Sequence, residues 1–143
     1  MRELNRIASI EAPADALLTL PYDKRQRSLL RAFLDNGEEI GVRLQHGTVL
    51  RDGDRLSSDD GYVVAVKSAL ETVSTVRGKD ALELTRVAYH LGNRHVALQI
   101  GTGWVRYLHD HVLDDMVRKF GLNVTVEQAA FEPETGAYRS HHR

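Results

Sequence analysis

The feature that most limits how this chain can fold is a change of hydrophobic period near residue 70. Before it, apolar residues come in short alternating runs broken by turn residues, which is how half-buried strands read. The clearest hairpin joins residues 29–34 to residues 39–44 through Asp35-Asn36-Gly37, where Asn and Gly tolerate the positive φ of a tight turn. Arg51-Asp52-Gly53-Asp54 and the 57–61 stretch, ending in Gly61, mark further turns, the second leading into a strand at 62–66. Lys24, Arg25, Arg27 and Arg31 form a local basic patch that reads as a solvated face.

After residue 70 two helical stripes alternate with strands. A strand at 72–76 precedes Leu84, Val87, Ala88 and Leu91 at helical spacing, with Gly92-Asn93 as the stop. Strands at 96–100 and 104–108 flank Gly101-Thr102-Gly103, and a second stripe of Val112, Leu113, Met116, Val117 and Phe120 ends at Gly121 before a strand at 123–127. The order β-α-β-β-α-β is that of a ferredoxin-like unit, with helices on one face and the other left to pair. The expected class is α+β: a small β-rich domain over residues 1–70, suited to client or partner binding, then a ferredoxin-like domain over 71–143 with a flexible C-terminal tail.

Composition narrows the chemistry. No cysteine is present, so disulfides, thiolate zinc and iron–sulfur clusters are excluded and any metal is held by nitrogen and oxygen. Nineteen basic residues balance twenty acidic ones, which offers no field for nucleic acid or an anionic membrane, and stacking aromatics for RNA are missing. With no membrane-length apolar run and no signal-peptide core at the start, the cytoplasm is the expected compartment. No P-loop, nucleophile elbow or dinucleotide-binding turn occurs, and Leu113 and Asp114 stand where a hydrolase H-x-H-x-D-H metal motif needs Asp and His, so no enzyme is expected.

Six of the seven histidines lie in the second half: His90, His95, His109, His111, His141 and His142. His95 is expected to open the strand whose Val96, Leu98 and Ile100 face the core, placing its ring on the opposite face with Ala97 and Gln99. Such a histidine is either an ordinary exposed strand residue or a ligand that a symmetry-related copy completes across a two-fold axis. His109 and His111 bracket Asp110 at a strand-to-helix junction. The acidic run Asp110, Asp114, Asp115 suits capping and the helix dipole, and a peripheral metal site is the other reading. Helical i and i+2 residues point about 200° apart, so His109 and His111 chelate together only if the junction is irregular. His90 reads as a packed or partly buried residue. His141 and His142 end a polar tail able to reach a metal.

The runs Tyr89-His90-Leu91-Gly92-Asn93-Arg94-His95, Leu98-Gln99-Ile100, His109-Asp110-His111-Val112-Leu113-Asp114-Asp115-Met116 and Phe131-Glu132-Pro133-Glu134-Thr135-Gly136-Ala137-Tyr138 resemble the urease accessory protein UreE family, nickel metallochaperones. The first half is similar more loosely, through Leu50-Arg51-Asp52-Gly53-Asp54. The resemblance implies a homodimer built through the ferredoxin-like domain, Ni(II) held between two copies of His95, and delivery to apo-urease with an accessory GTPase. Cu(II) or Zn(II) could compete at the same or peripheral nitrogens. The alternative is a protein-binding chaperone module whose histidines bind metal only incidentally. A long histidine-rich C-terminus, found in many family members, is replaced here by His141-His142-Arg143, which puts metal storage in doubt.

Overall fold

The computed structural model describes residues 1–135, which fall in two compact units, Met1–Ala69 and Leu70–Glu134. His141 and His142 lie outside the described residues.

The first unit is built from two sheets, as its alternating sequence requires. β1 (Arg2–Leu4), β5 (Glu39–Arg43) and β4 (Leu29–Phe33) form one, in the order β1-β5-β4. The predicted hairpin is its antiparallel β4–β5 pair, turned by Gly37 at φ 92°. β2 (Arg6–Ala8), β6 (Arg55–Ser57), β7 (Val63–Ser68) and β3 (Ala16–Leu20) form the other, with β3 parallel to β7. Leu4, Leu18, Ile40, Val42, Leu56 and Val64 are its fully buried centre. Each such side chain is worth about 1.5–3 kcal/mol relative to exposure. The basic patch is not uniformly solvated. Arg25, at the end of the one-turn helix α1 (Tyr22–Arg25), is fully buried, and its guanidinium donates to the carbonyls of Leu20 (3.1 Å) and Leu50 (3.2 Å).

The second unit carries the βαββαβ order: β8 (Leu70–Arg77), α2 (Ala81–Asn93), β9 (Gln99–Gly101), β10 (Trp104–Leu108), α3 (His111–Lys119) and β11 (Val124–Ala130). Its sheet is antiparallel throughout in the order β11-β8-β10-β9, the ferredoxin-like arrangement. Asp80 starts α2 by accepting from the Glu83 amide at 2.9 Å. Val87 and Leu91 of α2 and Leu113 and Val117 of α3 pack with Val76, Val105 and Tyr107 of the sheet.

α2 ends at Asn93, where the Gly92-Asn93 stop was expected. Two expectations are corrected. The strand foreseen at 96–100 is only β9, and Ile100 is 54% exposed rather than in the core; Val112 of the second stripe is likewise 53% exposed. The sheet face away from the helices is not left wholly open. Arg106, opposite Gln99 in register, reaches Thr75 on that face, and there Gln99 accepts from the Glu132 amide at 3.0 Å. Glu134 then donates to the Leu98 carbonyl at 2.8 Å, so the chain leaving β11 crosses to the opposite edge.

Candidate metal site

His95 does not lie on a strand. It is the residue after the cap of α2 and has φ 59°, the non-glycine positive φ among the described residues. Its amide donates to the Gly92 carbonyl (2.9 Å) and the Val96 amide to the Leu91 carbonyl (3.3 Å). That bonding pattern ends a helix with a left-handed residue, and the left-handed position normally belongs to glycine. Val96 packs against the same core as Leu91, supplying the apolar contact that accompanies the motif. A side chain in this conformation costs about 1 kcal/mol. In return the imidazole stands off the end of the helix, exposed, and its ring makes no hydrogen bond or ion pair among the described residues.

His109 and His111 differ from His95 and from each other. Asp110 is the N-cap of α3: its carboxylate accepts from the amides of Val112 (2.8 Å) and Leu113 (3.2 Å). The capping reading of Asp110 therefore holds. His109 lies before the cap, outside the helix, so the angular objection to pairing it with His111 does not apply. Its Nδ1 lies 3.1 Å from Oδ2 of Asp114 and 3.1 Å from Oγ of Ser74. His111 is the exposed first residue of α3. His90 stacks on Phe120, ring centroids 4.7 Å apart, as a partly buried residue does.

Sequence reasoning missed the role of Asp114. Counted among the acidic residues of a first helical turn, it is 1% exposed and accepts a 2.6 Å hydrogen bond from the Tyr107 hydroxyl. Burial, then the neighbouring Asp114 carboxylate, raises the Tyr107 phenol above its ordinary range, so Tyr107 is the donor in that bond. The signal was present in the spacing: Asp114 and Val117 fall on one side of α3, so the carboxylate sits in the apolar stripe and requires a partner.

Among the described residues no group of three or more His, Asp or Glu side chains converges to hold a metal ion. An ion held at His95 or at His109 would therefore need water or donors from beyond the described residues.

Comparison with known proteins agrees with the two-unit description. The model of the UreE urease accessory protein C-terminal domain matches residues 71–143, and that of the N-terminal domain matches residues 1–69. The urease accessory protein UreE of Alkalilimnicola ehrlichii is 65% identical over 127 residues, covering 89% of this chain and 78% of the relative. That of Pseudomonas putida is 55% identical over 124 residues (86% and 75%), and that of Proteus mirabilis 52% over 132 residues (92% and 81%).

Proposed function

This chain belongs to the UreE family of urease accessory proteins, which serves urease maturation, and from that premise we propose that it is a nickel carrier rather than an enzyme. Ni(II) is its cargo, bound between the His95 imidazoles of two copies of the chain. The observation that carries this reading is the left-handed, exposed His95 at a position that glycine would occupy without strain. A strained residue whose ring makes no hydrogen bond or ion pair among the described residues is accounted for by a ligand role.

Two imidazoles on a symmetry axis leave most of nickel's coordination sphere to water and to other donors, so the ion can leave by ligand exchange. His141 and His142, carried on the tail of the same chain, would raise affinity by completing the sphere without creating the site. His109 and His111 form a peripheral site, filled after the shared one and open to Cu(II) or Zn(II). Because affinity order alone favours Cu(II) over Ni(II), selectivity comes from geometry or from the receiving partner. Apo-urease and an accessory GTPase are the proposed partners, and the homodimer works in the cytoplasm. No helix among the described residues is long and apolar enough to cross a membrane.

The competing reading, a protein-binding module with incidental histidines, draws on the first unit. There an open groove of about 320 Å³ is lined by Met1, Leu29, Leu30, Gly41 and Val42, and Leu29 and Phe33 are exposed. Calorimetric titration with Ni(II) separates the two. The carrier reading expects tight binding by the parent and its loss in His95→Asn, since Asn tolerates the left-handed conformation but lacks an imidazole. Weak, non-stoichiometric nickel binding by the parent would favour the module.

A further inference from the structure

Resting on the reading of His109 as a peripheral ligand, we propose that Asp114 and Tyr107 are positioning residues that hold the His109 ring with its proton on Nδ1 and its Nε2 lone pair free. His109, not His111, is then the principal ligand of the peripheral site.

Donors and acceptors around Asp114 match in one arrangement. Asp114 is buried, and each of its carboxylate oxygens has one partner: Oδ1 takes the Tyr107 hydroxyl at 2.6 Å and Oδ2 faces His109 Nδ1 at 3.1 Å. A carboxylate only accepts, so a short approach to Nδ1 is favourable when Nδ1 carries the hydrogen and repulsive when it carries the lone pair. Ser74 Oγ, 3.1 Å from the same Nδ1, can also accept from an Nδ1–H, since a hydroxyl oxygen carries two lone pairs, so a protonated Nδ1 suits both neighbours. The self-consistent arrangement runs from Tyr107 O–H to Asp114 Oδ1 and from His109 Nδ1–H to Asp114 Oδ2. Both donors have an acceptor, and Nε2 is left as the donor atom for a metal. A histidine that gives one ring N–H to a carboxylate is fixed in tautomer and orientation and made more basic toward a metal. His111, one residue beyond the cap, has no such support: its ring makes no hydrogen bond among the described residues.

The core network is nearly dry and the ring is not. Asp114 and Tyr107 are almost inaccessible, while the His109 side chain is 39% exposed. Rigid support lies inside the core and the free nitrogen lies at its surface, which is the division of labour a docking ligand needs.

The test reads the tautomer directly. In the metal-free, full-length protein with ¹⁵N-labelled histidine, long-range ¹H–¹⁵N correlation at mildly alkaline pH should show His109 protonated at Nδ1 and unprotonated at Nε2. In Asp114→Asn the amide oxygen keeps the Tyr107 hydroxyl and the amide N–H₂ turns to Nδ1, so the His109 proton should move to Nε2. Titration with Ni(II) in a His95→Asn background, which silences the shared site, should then show roughly a 10-fold or greater loss of peripheral affinity in Asp114→Asn. His109→Ala should remove that site, whereas His111→Ala should weaken it only severalfold. Tyr107→Phe, which preserves shape, gives a second variant should Asp114→Asn unfold. It should leave the Nδ1–H form but broaden the ring's signals and reduce affinity. A parent His109 protonated at Nε2, or equal losses in His109→Ala and His111→Ala, would overturn the proposal. The predicted tautomers without any nickel response at residue 109 would instead overturn the ligand reading on which it rests.

Discussion

Helices α2 and α3 end by the same device with opposite choices of residue. In α3 the left-handed position after the cap is Gly121 at φ 85°, whose amide donates to the Arg118 carbonyl at 2.9 Å. In α2 the equivalent position is His95 at φ 59°, donating to Gly92 at 2.9 Å. Both are followed by an apolar residue that returns to the core, Leu122 after one and Val96 after the other, five positions beyond a buried Val117 and Leu91. One helix therefore shows what backbone sterics prefer at such a stop. The other shows what they tolerate when something else is required. The chain makes a similar stop without strain at Gly121 and with strain at His95, and the proposed ligand role of the imidazole would account for that difference.

The comparison is broken most severely by exchanging the residues. His95→Gly should abolish tight nickel binding while leaving thermal stability unchanged or raised by up to about 1 kcal/mol, since the left-handed strain disappears. Nickel titration and calorimetric unfolding of one preparation measure both. A marked loss of stability in His95→Gly would show that the imidazole serves the fold. In the mirror experiment, Gly121→Ala should lower stability by about 1 kcal/mol and leave nickel binding intact. No atom lies within 4 Å of a side chain added at Gly121, so conformation alone sets that loss.

The double change His109→Ala with His111→Ala should remove only binding that appears at excess metal, with the shared site surviving. Loss of all nickel in this variant would invert the ranking of the two stations. Acidification sharpens the same contrast in another way. A protonated imidazole has no lone pair to give, so nickel should leave as pH falls through the imidazole range, and undiminished binding well below that range would point to carboxylate ligands.

The smallest expected effect lies away from the histidines. The Thr75 hydroxyl, then Arg106 and Arg77, hold the Glu127 carboxyl below its ordinary range. A depressed folded-state value means this contribution is present above the unfolded value and is lost as pH falls through the folded one. Glu127→Gln should thus be slightly less stable than the parent at neutral pH, with the two denaturation curves converging in acid. Nickel binding should not change.

What could be read from the sequence follows from how local each feature is. The hairpin turned by Gly37 and the ferredoxin-like order were legible because periodicity and turn chemistry are local signals. The end of α2 at Gly92-Asn93 was legible, but the left-handed residue beyond it was not, because Gly92 and Asn93 ordinarily adopt positive φ and here both stay helical while His95 turns. The five-residue spacing from Leu91 to Val96 is the signal that places the turn at His95, and it outweighs residue preference because packing Val96 against the core beside Leu91 is worth more than about 1 kcal/mol of strain. Asp110 was recognisable as a cap from its position alone, whereas Asp114 depends on Tyr107, which meets it only through the sheet. His109 and His111 look equivalent in the sequence and are distinguished only by that buried carboxylate.

The central claim is that one nickel ion is shared by two copies of His95, and native mass spectrometry of the nickel-loaded full-length chain tests it most directly. The account predicts a dimer carrying about one tightly held Ni(II), and a dimer free of tight nickel for His95→Gly. A monomer holding its own ion, or a His95→Gly dimer that still carries one, would contradict it.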